Sequence, residues 1–386
     1  MKLLIPVAAG LEQTVKRQLF SLGYEKTPAE NGRLEVEGDF SDIAKLNLWL
    51  RSGERVLIKL AQFPASTFDE LYEGVYSVRW EDYLCVDSRI LMDGKSFKSK
   101  LGAIKAIGGV AKKAVISRLA EKVREGRKTF SETGARSIIG VSLFQDVATI
   151  TLDTTGESLH KRGYRSLAYS APLKETLAAA LVDNTFFNPD RDSEKPFADL
   201  FCGSGTLPIE AALKALHIPP GLRRDFDFTH WKCTPVGVLT RAKEQAMDEI
   251  KKGICLNIYG GDINPKAITI AKYHAKQAGV SEHIRFSVAD ARKFTSTERF
   301  GILLSNPPYG ERLSEEGEVR ALMRDLGNAF RALPDWNAYL FTSLPEFERY
   351  FGKRADKKKK FMNANLPCGF YAYFGKSPRE AEHEKQ

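Results

Sequence analysis

Residues 196–206, PFADLFCGSGT, hold the pattern that decides the fold: a short apolar run, two closely spaced glycines and the start of a helical pattern. Gly203 and Gly205 carry no Cβ atom, so backbone amides there can approach a ligand closely. A helix that begins at Thr206 would point its free N–H groups and positive dipole end at the same place. The segment predicts a strand–turn–helix unit that binds a carboxylate or phosphate, with a plain tight turn as the alternative.

Beyond this turn, strand and helix patterns alternate along the chain. Such alternation indicates βαβ units and a parallel sheet with helices on both faces. Ligands on such sheets bind beyond the carboxyl ends of the strands, so we expect the chemistry in the loops that follow them. The strands are predicted at 197–201, 258–261, 284–288, 302–304 and 339–342, and the helices at 173–181, 206–216, 265–277 and 319–333.

Two acidic residues follow predicted strands. Asp262, in GGDIN at 260–264, is placed to accept hydrogen bonds from ribose hydroxyls, although a helix-capping role is the alternative. It lies 57 residues after Gly205, whereas dinucleotide-binding folds place this acid about 20 residues on. An insertion is therefore predicted at 215–252. Asp290, after the next strand, is expected to bond an adenine amino group.

The loop SNPPYG at 305–310 is the most specific signal in the chain. Its two prolines fix the backbone and remove two donors, which leaves nearby carbonyls free to accept. Asn306 adds a side-chain acceptor and Tyr309 a flat face, so the loop suits a planar aromatic amine. Acceptance of both N–H groups by Asn306 and the Pro307 carbonyl would make the nitrogen nucleophilic; a proline-rich turn is the alternative. The predicted catalytic residues are Asn306, Pro307, Pro308 and Tyr309.

Charge is concentrated in one region of the 386-residue chain. The whole chain has 58 Lys and Arg against 49 Asp and Glu, and residues 95–165 alone hold 15 against 6. A polyanionic partner is expected, either nucleic acid or an acidic membrane surface. Basic residues interleaved with Phe97 and Tyr164 favour phosphate contacts and base stacking, with a solvated basic face as the alternative. The residues predicted to contact nucleic acid are Lys98, Lys100, Lys161, Arg162, Tyr164 and Arg165.

Several function classes are disfavoured by what the sequence lacks. No apolar run reaches the roughly 18 residues of a membrane span, and residues 1–10 favour an opening strand over a signal peptide. The five cysteines form no C-x-x-C pair and the six histidines no H-x-x-x-H pair, which predicts a cytoplasmic protein without a metal site. Cys202 stands where G-x-S-x-G needs glycine, so Ser204 is not a hydrolase nucleophile on that pattern.

Together these motifs resemble the class I S-adenosylmethionine (SAM)-dependent methyltransferases: DLFCGSGT matches their first motif, Asp262 their ribose-binding acid and SNPPY their exocyclic-amine motif. Beyond that, the chain resembles bacterial THUMP-domain RNA methyltransferases, in particular the N-terminal half of those that methylate guanine N2 of large-subunit ribosomal RNA. The likeness covers nearly the whole chain and includes the insertion at 215–252. It is carried by SFKSKLGAIKAIGGVAKKAV, GESLHKRGYR, APLKETLAAAL, DLFCGSGTLPIEAAL, PGLRRDFDFTHW and SNPPYGERL.

The resemblance implies an α/β chain with three domains. A Rossmann-like class I methyltransferase domain with a mostly parallel seven-stranded sheet is expected at 166–386. An α+β ferredoxin-like segment at 1–62 and a THUMP RNA-binding domain at 63–165 are expected before it. The implied partner is RNA, specifically large-subunit ribosomal RNA, with no membrane and no metal. In this first part, strands are predicted at 3–7, 33–37, 55–63, 137–144 and 147–153, and helices at 11–22, 43–50 and 112–127.

The resemblance also implies a role for each site residue. Asp199 and the two glycines would bind the methionine end of the SAM cofactor, and Pro172 with Leu173 would close over it. Transfer would be in line from sulfonium to nitrogen, with positioning as the main source of acceleration. Two alternatives remain open: an adenine-N6 methyltransferase acting on RNA or DNA, and a non-catalytic RNA-binding or ribosome-assembly factor. The implied cofactor-binding set is Pro172, Leu173, Asp199, Cys202, Gly203, Gly205, Thr206, Asp262, Ile263, Asp290, Ala291 and Asn306.

Overall fold

The computed structural model describes residues 1–30, 32–122, 131–167, 173–191, 194–309, 316–378 and 380. They divide into two compact units, each built from three separate segments of the chain. Unit 1 comprises Met1–Val7, Leu19–Leu159 and Arg224–Gln245. Unit 2 comprises Ala8–Gln18, His160–Arg223 and Ala246–Gln386. Among the helices in these ranges, none combines the length and the apolar composition that crossing a bilayer requires.

Unit 1 contains a seven-stranded sheet. The strands of unit 1 are β1 (Lys2–Pro6), β2 (Ala29–Glu30), β3 (Arg33–Glu37), β4 (Leu57–Pro64), β5 (Arg89–Phe97), β6 (Arg136–Phe144) and β7 (Val147–Asp153). They lie in the order β2-β3-β1-β4-β7-β6-β5. Helix α1 (Glu12–Ser21) crosses the division between the units, and the helices of unit 1 in the first half of the chain are α2 (Phe40–Trp49), α3 (Phe68–Tyr76) and α4 (Ile104–Lys122).

One continuous sheet runs through the segments expected to be ferredoxin-like and THUMP. Strand β4 pairs with β1 on one side and with β7 on the other, both antiparallel. The expected boundary between residues 62 and 63 therefore falls inside β4. The backbone hydrogen bonds of this sheet join the expected ferredoxin-like segment to the expected THUMP domain. The division of the chain into three domains therefore stays a prediction.

Unit 2 contains the second seven-stranded sheet. Its strands are β8 (Phe197–Asp199), β9 (Ile258–Asp262), β10 (Ile284–Val288), β11 (Ile302–Ser305), β12 (Asn337–Thr342), β13 (Lys357–Asn363) and β14 (Leu366–Tyr373). They lie in the order β10-β9-β8-β11-β12-β14-β13. Strands β8 to β12 are mutually parallel and β14 returns antiparallel, so the expected mostly parallel sheet is confirmed.

The second half of the chain also holds six helices in its described residues. Helix α7 (Val238–Asp248) lies mostly in unit 1, and the other five belong to unit 2. These are α5 (Glu175–Asp183), α6 (Thr206–Ala215), α8 (Pro265–Ala278), α9 (Glu316–Arg331) and α10 (Phe347–Phe351).

The central strands of unit 2 are buried along their whole length. Every residue of β8 and β11 is buried, as expected for parallel strands with both faces covered. One face packs on an apolar cluster with α9 and α10, in which Trp336, Phe347 and Phe351 are at most 2% exposed. This packing fixes the strand ends, and with them the loops that follow.

The insertion expected at 215–252 packs mainly within unit 1. Arg136 of β6 donates two hydrogen bonds to the Asp227 carboxylate, at 2.7 and 2.8 Å. The Phe228 N–H donates to the Thr154 carbonyl at 3.1 Å, and the indole of Trp231 donates to the Arg136 carbonyl at 3.2 Å. Residues 224–245 thus complete unit 1, although they lie between two elements of unit 2 in the sequence.

Candidate active site

Two loops meet at the point where the sheet of unit 2 reverses its strand order. From β8 the chain builds outward through β9 and β10 on one side, and through β11 and β12 on the other. Open parallel sheets bind ligands at such a switch point, outside the carboxyl ends of the strands. Ala198 of β8 is in register with Leu303 of β11. The glycine loop after β8 and the proline loop after β11 therefore leave neighbouring strand ends.

The glycine loop is a tight turn that leads directly into α6. The Gly205 N–H donates to the Cys202 carbonyl at 2.7 Å, and Gly205 has a φ of 85°. A Cβ atom at this position would lie 3.0 Å from the Cβ atom of Ala271. Glycine is thus required by both conformation and space. Thr206 begins α6 at this turn, so the helix brings its free N–H groups and positive dipole end to the loop.

Asp199 is an acidic side chain in the interior, at the last position of β8. It is 1% exposed and accepts a hydrogen bond from the Phe201 N–H at 3.1 Å. Burial raises the pKa of Asp199 to about 7, against the lowering effect of hydrogen bonds from Ser305 and Phe201. A cationic group beside this carboxyl would favour its ionised form. Asp199 therefore suits the expected role of binding an ammonium group.

Asp262 joins the loops after β8 and β9. One carboxylate oxygen accepts from the Gly203 N–H at 2.9 Å, and the other from the Asn264 N–H at 2.8 Å. The alternative that Asp262 caps α8 is wrong, because Asn264 is the N-cap and accepts from the Lys266 N–H. Each carboxylate oxygen has a second lone pair, so the side chain keeps capacity for ribose hydroxyls.

The ends of β9 and β10 present apolar side chains to solvent. Ile263, which directly follows β9, is 66% exposed, and Val288 at the end of β10 is 52% exposed. Val288 is in register with Asp262, so the two apolar residues lie at adjacent strand ends. An adenine ring could pack between such side chains. The sequence analysis missed Val288. The feature that could have identified it is an apolar residue at the end of a strand predicted to lie beside the strand of Asp262.

Asp290 is engaged by Arg292 in this structure. Its carboxylate accepts from the Arg292 N–H at 3.0 Å and from the Arg292 guanidinium at 2.6 to 3.1 Å. These hydrogen bonds lower the pKa of Asp290 to about 2. Ala291 follows it as the first residue of a short 3₁₀ turn, Ala291–Lys293, which Asp290 caps. The expected adenine contact thus requires Asp290 to share its oxygens with Arg292.

The proline loop leaves β11 at Ser305, which is fully buried and accepts from the Leu200 N–H at 2.9 Å. The Tyr309 hydroxyl donates to the side-chain oxygen of Asn306. Burial raises the pKa of Tyr309, so its phenol is held protonated as a donor. An amide oxygen has two lone pairs, which leaves Asn306 one site for a further N–H. In the same loop, Pro307 is buried and Pro308 exposed.

The segment at 160–165 differs from the expected RNA contacts. The side chain of Arg162 is 2% exposed, and its Nε lies 3.5 Å from Oε1 of Glu210. The Tyr164 hydroxyl donates to the same carboxylate at 3.2 Å, and Tyr164 is 3% exposed. Glu210, on α6, is wholly buried and requires such partners, since an unpaired buried charge is costly. The prediction that Arg162 and Tyr164 contact RNA is therefore wrong for this structure.

Arg165 is mostly buried as well and anchors the start of α5. Its guanidinium donates to the Leu173 carbonyl at 3.0 Å and forms an ion pair with Glu175 at 3.2 Å. Leu173 is itself buried, and Pro172 lies outside the described residues.

The remaining predicted RNA contacts, Lys98, Lys100 and Lys161, are exposed. Within the described ranges, no cluster of three or more His, Cys, Asp or Glu is arranged to hold a metal ion.

Family models match three parts of the chain. Residues 162–372 match the methyltransferase domain described as RMKL-like, residues 2–57 the RlmL ferredoxin-like domain, and residues 65–153 the THUMP domain. The first match covers more than half of the chain and includes every loop of the site described above.

Relatives extend this similarity over the full chain. "Putative RNA methyltransferase YpsC" of Bacillus subtilis (strain 168) is 38% identical over 367 residues, which are 95% of this chain and 94% of that protein. Ribosomal RNA large subunit methyltransferase K/L of Psychromonas ingrahamii is 35% identical over 376 residues, 94% of this chain. These cover 49% of that protein, so the chain spans about half the length of its K/L relative.

Two solved structures have the same architecture. SMU.472, described as "a putative methyltransferase complexed with SAH" (S-adenosyl-L-homocysteine), is 38% identical with a TM-score of 0.91, covering 97% of this chain and 98% of that one. A Listeria monocytogenes protein described as "a predicted N6-adenine-specific DNA methylase" is 42% identical with a TM-score of 0.91, covering 97% and 96%. SAH is SAM without its transferable methyl group, so the expected cofactor is confirmed for this group of proteins. The chain therefore belongs to the RMKL-like methyltransferase family and has RlmL-type ferredoxin-like and THUMP domains in its first half.

Proposed function

We propose that this protein is a SAM-dependent RNA methyltransferase that modifies an exocyclic base amine, with N2 of a guanine in large-subunit ribosomal RNA as its target. The observation that supports it most is the adjacency of two loops at the switch point. One loop has the glycine turn and buried acid that suit SAM, and the other has the acceptors that suit a base amine. The names of the YpsC and K/L relatives supply RNA as the substrate class.

The residues fit the cofactor from end to end. Asp199 would bind the methionine ammonium group, and the turn at Gly203–Gly205 would approach the methionine chain with its backbone. Asp262 would accept from the ribose hydroxyls with its remaining lone pairs. Ile263 and Val288 would flank the adenine. When bound, SAM supplies a methyl group that is already activated by its positive sulfur.

The proline loop would hold the acceptor. Asn306 and the Pro307 carbonyl would accept hydrogen bonds from the two N–H groups of the base amine, which localises the nitrogen lone pair. Tyr309 would keep the Asn306 amide oriented through its hydroxyl and offer its ring to the base. The nitrogen would gain the methyl group as the methyl–sulfur bond breaks, with the neutral thioether SAH as the leaving group, and it would lose one proton to water, so no covalent enzyme intermediate is needed. Orientation by these side chains supplies the rate acceleration.

Adenine N6 is a second candidate target, favoured by one specific observation. The Listeria relative, 42% identical to this chain, is described as "a predicted N6-adenine-specific DNA methylase". A loop of the N-P-P-Y type can hold either base amine, because it reads the two N–H groups rather than the ring. A non-catalytic RNA-binding or assembly factor is a third candidate, and the complete 305–309 loop supports an enzyme over it.

Nucleoside mass spectrometry separates these candidates. Purified protein with SAM is incubated with ribosomal RNA from a strain that lacks the gene, and the RNA is digested to nucleosides. We expect N2-methylguanosine to appear. N6-methyladenosine would replace the proposed target with the second candidate. Absence of transfer to any RNA, with cofactor binding intact, would support the third.

A further inference from the structure

Helix α8 packs against the glycine loop with a buried face made mostly of alanine. A Cβ atom at Gly205 would lie 3.0 Å from the Cβ atom of Ala271, so helix and turn are in close contact. His274 lies three residues further along the same face of the helix, and it is wholly buried. The other buried residues of α8 are Ala267, Ile268, Ala275 and Ala278. An imidazole among such apolar side chains needs a polar partner, because burial without a hydrogen bond is costly.

The partner of His274 is a backbone carbonyl in the glycine loop. Nδ1 of the ring lies 3.1 Å from the carbonyl oxygen of Ser204. Burial lowers the pKa of His274, so the ring is neutral at pH 7. A carbonyl oxygen can only accept a hydrogen bond, which assigns the single ring proton to Nδ1. His274 therefore donates from α8 to the loop that precedes α6.

This hydrogen bond holds one end of the peptide group between Ser204 and Gly205. In a trans peptide the C=O and N–H bonds point in opposite directions. The Ser204 carbonyl accepts from His274, and the Gly205 N–H donates to the Cys202 carbonyl at 2.7 Å. Glycine allows more backbone rotation than any other residue, so this peptide could turn easily if only one end were held. With both ends bonded, its orientation is fixed.

The residues on either side of this peptide are held as well. The Gly203 N–H donates to the Asp262 carboxylate at 2.9 Å, and the Ile209 N–H donates to the Gly205 carbonyl at 3.0 Å. Asp262 lies two residues before Asn264, the N-cap of α8. The same helix therefore follows the expected ribose-binding acid and, through His274, reaches the glycine turn.

Two tyrosine rings keep the imidazole in place. The ring centroid of Tyr164 lies 6.5 Å from that of His274, at an interplanar angle of 60°. The ring centroid of Tyr273 lies 6.1 Å away, at 59°. The Tyr164 hydroxyl donates to Glu210 of α6, so this ring is itself fixed. Close packing of this kind limits a buried side chain to one rotamer, which keeps Nδ1 directed at Ser204.

We propose that His274 is a positioning residue of the cofactor site. Its Nδ1–H fixes the Ser204–Gly205 peptide, so that the turn and the first N–H groups of α6 face the methionine part of SAM before the cofactor binds. A site that is already ordered loses less conformational freedom on binding. The inference deepens the proposed function: it rests on SAM as the cofactor and is independent of which base is methylated.

Titration calorimetry of the full chain with SAH tests this role. His274→Leu removes the donor and keeps a buried apolar side chain, so the affinity for SAH should fall about tenfold (about 1.4 kcal/mol). In His274→Asn, the side-chain NH₂ group is bonded to Cγ, as Nδ1 is in histidine, and can donate to the same carbonyl. This variant should keep the affinity within about threefold of wild type.

His283→Leu is the matched control, since it makes the same substitution at a partly exposed histidine directly before β10. This is the amino end of the strand, whereas the cofactor loops follow the carboxyl ends. The control should bind SAH like wild type.

A second measurement needs no cofactor and no leucine variant. In ligand-free wild type labelled with ¹⁵N-histidine, nuclear magnetic resonance reports which ring nitrogen carries the proton. The His274 signals, identified by their absence from His274→Asn, should show the proton on Nδ1. If His274→Leu fails to fold, this result and the SAH affinity of His274→Asn decide the matter.

Three results would overturn the inference: wild-type affinity in His274→Leu, equal losses of affinity in His274→Leu and His274→Asn, or a proton on Nε2 in place of Nδ1. Failure of the proposed function gives a different pattern. If wild type and the variants bind SAH as expected but no RNA is methylated, only the proposed function is wrong. If wild type methylates RNA and His274→Leu binds SAH normally, only the role of His274 is wrong.

Discussion

The segments KSFKSK at 95–100 and HKRGYR at 160–165 have nearly the same mixture of basic and aromatic residues, yet the structure places them in opposite environments. Phe97 and Lys98 are exposed at the end of β5, whereas Arg162 and Tyr164 are buried against α6. Composition alone supports RNA contact equally for both. The comparison shows that composition does not decide whether a basic and aromatic segment is exposed or buried. A buried acidic side chain next to the segment decides it.

That charge is Glu210. A carboxylate wholly buried in a helix needs a cation and hydrogen-bond donors, and Arg162 and Tyr164 supply them. The second segment therefore stabilises the helix that begins at the cofactor loop. Near Phe97, the aromatic partner is Phe144, and the acid paired with Lys95 is Asp93, which is 59% exposed, so the first segment stays at the surface.

Of the substitutions that test this comparison, Arg162→Met should have the largest effect on the free energy of unfolding. Loss of the cation leaves Glu210 buried with less compensation, so the free energy of unfolding should fall by about 3–5 kcal/mol. Urea denaturation followed by circular dichroism measures it. Lys272→Met, at an exposed lysine of α8, is the control for removal of a surface charge and should stay within about 0.5 kcal/mol of wild type. Equal stabilities for the two variants would contradict the structural role of Arg162.

Asn306→Ala sharpens the comparison from the catalytic side. This substitution should reduce the rate of methyl transfer at least about a hundredfold (about 2.7 kcal/mol), because one of the two acceptors for the base amine is lost. The affinity for SAH should stay within about tenfold of the wild-type value. The free energy of unfolding should change little, whereas Arg162→Met should lower it. Parallel transfer assays and calorimetric titrations measure the pair. Equal losses of transfer and of cofactor affinity would show that Asn306 acts in cofactor binding or folding.

Asp199 extends the comparison to a second buried acid, one whose pKa burial raises to about 7. A raised pKa means that the folded chain keeps a proton which the unfolded chain loses near pH 4, so Asp199 lowers stability as pH rises from about 4 to 7. Binding of the cofactor ammonium needs the ionised form. Affinity for SAH should therefore increase about tenfold from pH 6 to 8, about fivefold of it below pH 7, and level off above pH 8. Titration calorimetry over pH 5.5–8.5 measures this, and a flat profile for wild type would contradict it.

Tyr164→Phe gives the smallest effect and isolates the hydroxyl that reaches Glu210. Loss of one hydrogen bond should lower the free energy of unfolding by about 1 kcal/mol, while affinity for single-stranded RNA stays unchanged. Phe97→Ala should do the opposite, with RNA affinity lowered and stability retained. Melting curves and anisotropy on both variants complete the comparison. If Tyr164→Phe lowered the affinity for RNA without lowering the free energy of unfolding, Tyr164 would contact RNA after all.

The elements that carry the chemistry were predictable because their signals are local. The strand at 284–288 is observed as predicted, and the turns after β8, β9 and β11 hold the residues expected there. The strand predicted at 197–201 ends at Asp199 instead. The Leu200 N–H leaves the ladder for the Ser305 hydroxyl, a partner 105 residues away.

Other elements escaped prediction because their burial depends on distant partners. Strand β5 and the final pair β13–β14 are completed by packing on neighbours. Helix α3 was missed although it is amphipathic and begins with a capping box formed by Thr67 and Glu70. Helix α4 begins at Ile104 rather than at the predicted residue 112, and residues 123–127 of that prediction lie outside the described ranges. The insertion likewise gives no sequence signal that residues 224–245 join unit 1.

By itself, the sequence determined the α/β class, the order of strands and helices around the site, and the identity of the loops that would hold cofactor and base. These follow from hydrophobic periodicity and from glycine, proline and acidic residues at strand ends, which act over a few residues. The tertiary structure alone decided which charges are buried, that Arg162 and Tyr164 compensate Glu210, and that burial raises the pKa of Asp199. The reason is electrostatic: the cost of a charge depends on what surrounds it in space, and for Glu210 those neighbours lie 46 and 48 residues away in the chain.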